Sequence, residues 1–420
     1  MNKRTTTIII AILIFTIVIS SGVSFLIAKN TYENKTQSTQ PTQSTQSTTT
    51  TTTTSATTTN QSTTQPKPDE PNIEELVAEQ IQRQKDERAA SLLESKVRLS
   101  CDENGDFRIL ILADIHAPGK IDMNTEKNIR TLVDSENPDL VIFTGDNALC
   151  STEEDLRTAL DSMVGYIESK GIAWCHVYGN HDHESGLSKK QMQAIYESYE
   201  YCVSKSGDED LFGVGNYVLP VYEYESDNIS SFVWCLDSGS RLSNEDREAL
   251  IPTHPIDNIA MPDNIFSAIM GIHNSPYDYI HADQVQWYYK TSEFFEEYFG
   301  RKIPSIMAFH IPLQESFFAW SNREGLDNWT GEKNEDISCS QINTGLFSAL
   351  VDRGDVLAVV NGHDHTNTFM VEYKGVMLCY SPTPSTHSYN DVNTMGARVF
   401  VMNSNNPTEI TTYINYLFRN

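Results

Sequence analysis

The chain has few basic residues and no CxxC motif. Of its 420 residues, 57 are Asp or Glu and only 30 are Lys or Arg, so the formal net charge is -27. A charge of this size would repel a polyanion at long range, and nucleic acid is therefore not expected as a substrate. The seven cysteines include no CxxC pair, which argues against thiolate zinc sites and dithiol redox chemistry, and their spacing leaves disulfide pairing open.

Only one apolar run is long enough to cross a membrane. Residues 8–28 carry no charge over 21 positions, enough to span a hydrocarbon layer of about 30 Å as a helix. Lys3 and Arg4 precede the run, so the positive-inside rule places the N-terminus in the cytoplasm and the remainder of the chain outside. The alternative is a cleaved signal peptide ending near Ala28, which makes a secreted protein. The long run and Leu26 suit a small-residue cleavage site poorly, so the anchor is favoured.

Composition divides the chain into four parts. Residues 1–30 are expected to form the membrane anchor or signal sequence, and residues 31–72, which are rich in Thr, Ser and Gln, are expected to form a disordered stalk. Residues 73–97 have the apolar spacing of an amphipathic helix, which either docks beside the next domain or continues the stalk. Residues 98–420 form one large domain.

Strand and helix patterns alternate in the first half of this domain. Strands are predicted at 107–113, 140–144 and 172–178, and helices at 125–136, 152–170 and 188–204. In the second half, strands follow one another, with helices only at 281–299 and 341–352. The strands are predicted at 217–225, 231–237, 303–309, 356–361, 368–380, 397–403 and 410–416. The predicted fold class is α/β, with two stacked mixed β-sheets flanked by helices, preceded by the transmembrane helix and the stalk.

Metal-ligand side chains follow five of these apolar runs. They lie in four short blocks and one lone histidine: Asp114-Ile-His116, Gly145-Asp146-Asn147, Gly179-Asn180-His181-Asp182, Gly362-His363-Asp364-His365, and His310. Because functional groups gather at the carboxyl ends of strands in an α/β sheet, these side chains should converge. Carboxylate oxygen and imidazole nitrogen are ligands of borderline divalent cations, so the set predicts a two-metal hydrolase centre.

Spacing within the blocks suggests how the centre is built. Asp146 is expected to bridge the two cations, because an anionic oxygen between them lowers their repulsion. One intervening residue on extended backbone lets Asp114 and His116 grip a single ion, and the same alternation delivers His363 and His365.

The neighbours in the Gly-Asn-His-Asp block point in different directions. The amide oxygen of Asn180 can bind metal while His181 faces the substrate. Asp182 is expected to act as a helix N-cap.

Together, the motifs D-x-H, GD, GNHD, H and GHDH resemble the signature of the calcineurin-like metallophosphoesterase superfamily over about residues 105–385. Four phrases look like the purple-acid-phosphatase-related branch: LDSGS at 236–240, HADQVQW at 281–287, FHIPLQE at 309–315 and TGLFSAL at 344–350. The resemblance implies a metallophosphoesterase sandwich with two divalent metal ions and His181 as the acid beside the leaving group. It assigns one ion to Asp114, His116, Asp146 and His365, and the other to Asp146, Asn180, His310 and His363.

One departure bears on metal identity. Purple acid phosphatases have a metal-bound tyrosine three positions after the GD aspartate, where this chain has Leu149. Without a phenolate to stabilise ferric iron, Mn, Zn or ferrous Fe are expected instead.

The expected function is therefore hydrolysis of small phosphate esters, phosphomonoesters above all, outside the cytoplasmic membrane. No protein partner is inferred. Four residues are candidates for substrate binding: Asn147, His273, Tyr277 and Trp320. A phosphodiesterase or nuclease with the same centre is the enzymatic alternative, although basic clusters with interleaved aromatics are absent from the sequence. The second alternative is a non-catalytic surface protein, which the anchor and stalk suggest. Such a protein would be expected to lose metal ligands, whereas every ligand position is present here.

Overall fold

The computed structural model describes residues 73–250 and 275–419. Its strands are β1 (Leu99–Ser100), β2 (Asp106–Leu112), β3 (Leu140–Thr144), β4 (Ala173–Val177), β5 (Tyr217–Tyr222), β6 (Ile229–Cys235), β7 (Ser305–Ala308), β8 (Trp329–Thr330), β9 (Val356–Asn361), β10 (Met370–Tyr373), β11 (Val376–Tyr380), β12 (Gly396–Asn403) and β13 (Ile410–Tyr416). Its α-helices are α1 (Ile73–Leu93), α2 (Met123–Glu136), α3 (Glu153–Ser169), α4 (Lys189–Tyr196), α5 (Asn244–Leu250), α6 (Ala282–Phe299), α7 (Gln314–Ser321) and α8 (Leu346–Arg353).

The strands form two mixed sheets, which confirms the predicted class. One sheet has five strands in the order β13-β12-β2-β3-β4, and the other has eight in the order β1-β5-β6-β7-β9-β11-β10-β8. In the five-stranded sheet β2, β3 and β4 are parallel, as their helical connections require, whereas β12 pairs antiparallel with β2. In the other sheet, β6, β7 and β9 are parallel neighbours.

Side-chain alternation along the strands builds three buried layers. Ile109 and Ile142 face inward, where they meet Val233 and Ala358 from the other sheet. Their neighbours, such as Leu110, face outward and pack beneath α2, α3 and α4. On the far side, α6, α7 and α8 cover the eight-stranded sheet. Both sheets are therefore covered on both faces. Burial of each large apolar side chain in these layers contributes about 1.5 to 3 kcal/mol to the stability of the fold.

Three differences from the predicted elements have local causes. The helix predicted at 188–204 ends at Tyr196, because residues 201–203 instead pair with the backbone of Trp174 at the sheet edge. The strand predicted at 368–380 is divided into β10 and β11 by Lys374 and Gly375, both of which have positive φ, as in a two-residue hairpin turn. The helix predicted at 341–352 begins only after Gly345, whose φ of 88° lies in the left-handed region.

The N-terminal helix α1 is four residues shorter than the predicted 73–97 element and contacts the domain through its C-terminal half. Lys205 Nζ donates to the carbonyl of Leu92 at 2.9 Å, and Lys85 pairs with Glu297. The apolar side chain of Leu76, near the other end, is 49% exposed.

Within residues 73–250 and 275–419, no helix combines the length and apolarity needed to cross a bilayer. The predicted anchor and stalk, residues 1–72, lie outside the described residues. All seven cysteines are described, and each is a buried free thiol, so none of them forms a disulfide.

Candidate metal centre

The loops that follow β2, β3, β4, β7 and β9 converge at one edge of the stacked sheets, as predicted. Two groups of side chains each place their ligand atoms within 4.8 Å of one another. The Asp114 triad consists of Asp114, His116 and His365, and the Asp146 triad consists of Asp146, His310 and His363. All six side chains are buried.

Asp146 lies between the two triads. Its Oδ2 atom is 3.2 Å from Nε2 of His310 and 3.6 Å from Nε2 of His116, which belongs to the other triad. The amide oxygen of Asn180 is 3.1 Å from the same His310 nitrogen. The Asp146 carboxylate therefore lies within 3.6 Å of a histidine from each triad, and Asn180 lies beside the Asp146 triad.

Backbone carbonyls fix the tautomers of two of the histidines. Nδ1 of His365 lies 2.8 Å from the carbonyl oxygen of Tyr389, and Nδ1 of His310 lies 2.8 Å from that of Thr144. A carbonyl only accepts, so Nδ1 carries a proton in both rings, and each ring in its neutral form presents the Nε2 lone pair to the centre. Nε2 of His365 is 3.3 Å from Nε2 of His116, so two imidazole nitrogens crowd together beside the carboxylates of Asp114 and Asp146. The donor set fits two divalent cations of the Mn, Zn or Fe type.

Burial and mutual charge shift the pKa values in this cluster strongly. Burial raises the pKa of Asp114 to about 6, although His365 and His310 oppose the shift, and burial lowers the pKa of His116 to about 4. Burial alone would lower the pKa of His310, but the carboxylates of Asp146 and Asp114 raise it to about 9. For Asp146, the effect of burial is outweighed by His310 and His116, and its pKa is lowered. The metal-free centre therefore retains protons that bound cations would displace.

Four of the triad residues have a left-handed backbone. The φ angles are 56° at Asp114, 50° at His116, 49° at Asp146 and 74° at His363. This region costs a residue other than glycine about 1 to 2 kcal/mol, and such outliers gather at functional sites. Hydrogen bonds within the centre hold this backbone: the amide of His363 donates to the Asp114 carboxylate at 3.1 Å, and that of His116 donates to the Asp146 carbonyl at 2.8 Å.

Two glycines leave room for the ligands of neighbouring loops. A Cβ atom on Gly179 would lie 2.2 Å from Oδ1 of Asp146, and one on Gly362 would lie 2.8 Å from Oδ2 of Asp114. Distances below 3.0 Å are essentially never observed for a real Cβ. The glycines of the GNHD and GHDH motifs are therefore required by the close approach of a carboxylate.

His181 lies at the rim of the centre. Its side chain is 36% exposed, its ring centroid is 5.3 Å from that of His116, and its amide donates to Oδ1 of Asp146 at 2.7 Å. Nδ1 is 3.0 Å from the carboxylate of Glu184, a partner that the sequence reasoning missed. With Nδ1 engaged in this way, Nε2 is the nitrogen available to a bound molecule.

Asp182 does not cap a helix, contrary to the sequence expectation. The following short 3-10 helix has His181 at its N-cap position. The buried Asp182 carboxylate instead accepts from the amides of Gly179, Asn147 and Ala148 at 2.7, 3.0 and 3.2 Å. Burial, with the nearby Asp146 charge, raises the pKa of Asp182 to about 7. Asp182 joins the loops after β3 and β4 because one carboxylate accepts from both.

The four predicted substrate residues have different surroundings. Asn147 is 1% exposed, and its amide donates to the carbonyl of Val177, while its Oδ1 atom lacks a hydrogen-bond partner. The ring of Tyr277 lies perpendicular to that of His363 with centroids 4.3 Å apart. His273 lies outside the described residues.

Trp320, the fourth of these residues, lies in the outer core. It packs on Phe369 at 4.5 Å and on Trp329 at 5.8 Å between centroids, with Arg323 over its ring. Among the described contacts of Trp320, none is with a triad residue.

Leu149 lies beside the centre but contributes no ligand. Its amide donates to the carbonyl of Ala117 at 2.8 Å, and its side chain is 36% exposed. The apolar side chain of Leu149 has no ligand atom to offer, and the two triads consist of carboxylates and imidazoles.

Comparison with known proteins gives a consistent assignment. The family described as calcineurin-like phosphoesterase matches residues 107–367. The protein named "Probable inactive purple acid phosphatase 14" from Arabidopsis thaliana is 28% identical over 333 residues, covering 70% of this chain and 74% of its own length. Phosphatase DCR2 from Saccharomyces cerevisiae is 28% identical, and the match covers 67% of this chain and 49% of that protein.

Among solved structures, a dimetal phosphatase from Danio rerio is similar, with a TM-score of 0.42 and 14% identity, covering 74% of this chain and 99% of its own. The family match decides the assignment, because it extends over more than half of the 420 residues and includes all six triad residues. The chain therefore belongs to the calcineurin-like phosphoesterase family.

Proposed function

We propose that the protein is a phosphoesterase that depends on two divalent cations and prefers phosphomonoesters. The observation that carries the proposal is the placement of Asp146 between two buried ligand triads, with a partly exposed histidine at the rim. Small phosphate esters are the substrate class, since the chain's formal charge of -27 opposes long polyanions.

Each residue of the centre has a distinct role in the proposed reaction. Asp146 would hold both cations, one together with the remaining members of the Asp114 triad and the other together with Asn180, His310 and His363. When bound, the cations supply Lewis-acid charge and a nucleophile that is active at neutral pH. His181 donates a proton from Nε2 to the departing oxygen, while Glu184 holds its Nδ1 atom. Tyr277, whose ring lies against His363, and Asn147 are the candidates for contact with the substrate.

Two other functions compete with this one. A phosphodiesterase or nuclease would use the same centre. A catalytically silent protein is the second, because three relatives from Arabidopsis thaliana are named as inactive purple acid phosphatases. Retention of a complete ligand set argues against the silent alternative for this chain.

The test uses the purified full-length protein. It is stripped with a chelator, reloaded with Mn²⁺, Zn²⁺ or Fe²⁺, and assayed on an aryl phosphate and on the matching aryl diester. We expect activity to vanish on stripping, to return on reloading, and to be higher on the monoester. Full activity after complete metal removal would contradict metal dependence, and no activity with any of the three metals would favour the silent alternative.

We further propose that the domain lies outside the cytoplasmic membrane, tethered through residues 8–28 and the stalk. Support comes from the uncharged run that follows Lys3 and Arg4. Protease added to intact cells should cut the Thr-rich stalk and release active enzyme. Protection until lysis would refute this topology, whereas release without protease, with a new N-terminus near Lys29, would identify a cleaved signal peptide.

A further inference from the structure

The segment that joins β11 to β12 crosses the Asp114 triad. Residues 381–389, called here the 381–389 loop, leave the end of β11 and run beside the loops that follow β2 and β9. Ser381, Thr383 and Ser385 in this loop are each no more than 1% exposed. Hydroxyl groups buried to this degree need partners, and those partners are the backbone around the metal ligands.

Three hydroxyl groups of the loop bind the β2 strand and the loop that follows it. Thr383 Oγ1 donates to the carbonyl of Asp114 at 2.9 Å, and Ser385 Oγ donates to that of Ile115 at 2.7 Å. Ser381 Oγ donates to the carbonyl of Ile111 at 2.9 Å. The loop therefore fixes the backbone on which Asp114 and His116 are mounted.

The same loop also fixes His365. The amide of Thr383 donates to the His365 carbonyl at 3.1 Å, and Nδ1 of His365 donates to the carbonyl of Tyr389 at 2.8 Å. The ring of Tyr389 lies parallel to the imidazole, with the centroids 3.9 Å apart and an interplanar angle of 3°. Although Tyr389 is 56% exposed, it contacts this ligand through both its backbone and its ring.

Both ends of this arrangement are anchored in the surrounding structure. The hydroxyl of Tyr389 donates to Glu335 at 2.7 Å, and the other oxygen of that carboxylate accepts from Thr366, the residue after His365. Earlier in the loop, Thr386 Oγ1 donates to Asp122 at 2.6 Å, at the N-terminus of α2.

The Asp146 triad has no such contact. In the described residues, no hydrogen bond joins the 381–389 loop to Asp146, His310 or His363. The tautomer of His310 is fixed by Thr144, in β3, and Asp146 accepts from the amide of His181. The 381–389 loop thus supports only the Asp114 triad, although the amides of His363 and His116 also join the two triads to each other.

We propose that Tyr389 is a positioning residue that sets the cation affinity of the Asp114 triad without setting that of the Asp146 triad. The Tyr389 ring restricts the rotation of the His365 imidazole. The backbone carbonyl of Tyr389 accepts from Nδ1 of His365, which leaves Nε2 directed toward the metal site. The proposal rests on the two-cation centre of the proposed function and does not depend on hydrolysis itself.

The test is a Mn²⁺ titration of the chelator-stripped full-length protein, with bound metal measured directly. In Tyr389→Ala, which loses the ring but keeps the carbonyl, one of the two ions should bind about 10-fold to 100-fold more weakly, and the other should bind as in the unmodified protein. Tyr389→Phe retains the ring and should recover most of the affinity.

The control is Tyr413→Ala. Tyr413 is 37% exposed and donates to the carboxylate of Glu136, but it has no contact with either triad among the described residues. Both ions should bind this variant normally. Thermal unfolding of each metal-free variant separates a loss of metal affinity from a loss of fold.

A His365→Ala variant marks the ion that belongs to the Asp114 triad. Adding Tyr389→Ala to it should weaken neither ion further, because the two changes act through one ligand. Unchanged affinity in Tyr389→Ala, equal weakening of both ions, or a Tyr389→Phe variant as weak as Tyr389→Ala would each overturn the proposal. Because the titration measures the amount of bound metal, failure of this proposal is distinguishable from an absence of phosphoesterase activity.

Discussion

The amide of His181 donates to one oxygen of the Asp146 carboxylate at 2.7 Å, and the other oxygen faces His310 and His116. One carboxylate thus joins both ligand triads and also positions the backbone of the proposed acid. Movement of Asp146 would therefore affect metal binding and proton transfer together, whereas movement of the His181 side chain would affect only proton transfer.

Replacing Asp146 by Asn should remove metal and activity together. The neutral amide no longer offsets the charge of two cations, so we expect metal content to fall and turnover to drop at least about 100-fold. Metal analysis and aryl phosphate turnover are the measurements. Asp355→Asn is the control, because this buried carboxylate accepts hydrogen bonds from Tyr288 and Ser292 and contacts no residue of either triad among the described hydrogen bonds. Two ions per chain in Asp146→Asn with normal turnover would show that Asp146 is not the bridge.

Replacing His181 by Ala should spare the metals and slow hydrolysis. Loss of a general acid costs about 10² to 10⁴-fold, and the loss should shrink for esters whose leaving groups depart without protonation. Turnover is measured across a series of aryl phosphates of graded leaving-group pKa. Glu184→Gln should show the same trend more weakly, because the amide still contacts Nδ1 but carries no charge. An equal loss across the series would argue against proton donation by His181.

Replacing Gly179 by Ala should disrupt the centre without adding a new functional group. The added methyl would lie 2.2 Å from Oδ1 of Asp146 and 2.3 Å from its backbone nitrogen, so the bridging carboxylate has to shift. Metal content is the measurement. Gly165→Ala, in helix α3, is the matched control: its Cβ would meet nothing within 4 Å, and it should stabilise the fold by about 0.5 to 1 kcal/mol. Normal metal binding in Gly179→Ala would mean that the loop after β4 yields more easily than its contacts indicate.

The buried imidazole of His176 should make the fold sensitive to acid. It stacks on Tyr196 with centroids 3.7 Å apart, and burial lowers its pKa to about 3. In the unfolded chain, His176 takes up a proton near its ordinary pKa of about 6.5. The contribution of neutral His176 to folding stability is therefore complete above a pH of about 6.5 and falls steadily as the pH drops toward 3.

Between pH 7 and pH 5, this effect should lower the free energy of unfolding by about 2 kcal/mol. Urea unfolding of the unmodified protein and of His176→Phe, which retains a ring beside Tyr196, would measure it. The variant should lose less stability over this interval, and identical pH dependence in the two proteins would contradict the assignment.

The ligand set could be predicted because each ligand directly follows an apolar run. Asp114, Asp146 and His310 come within two residues of the end of a strand, and the convergence of strand ends then follows from the fold class. Periodicity also located most of the helices, although their ends depended on local backbone features such as Gly345.

The supports of the ligands could not be predicted in the same way. Thr383 binds the carbonyl of a residue 269 positions earlier in the sequence, through a hydroxyl group in a loop without periodicity. Nothing local distinguishes that hydroxyl from one facing solvent. Trp320 illustrates the converse, because a large aromatic in an insertion is equally compatible with substrate contact and with the outer core, where it packs on Phe369.

The left-handed backbone at Asp114, His116, Asp146 and His363 has an evolutionary consequence. A change of one of these residues to glycine would relieve about 1 to 2 kcal/mol of strain, and at Asp114 and Asp146 it would also remove a buried carboxylate. Where this relief exceeds the cost of the lost hydrogen bonds and of the greater freedom of glycine in the unfolded chain, a mutation that abolishes metal binding stabilises the fold, and selection for stability then opposes selection for catalysis at that position. An architecture of this kind has a short mutational route to pseudoenzymes that keep the sandwich and lose the chemistry.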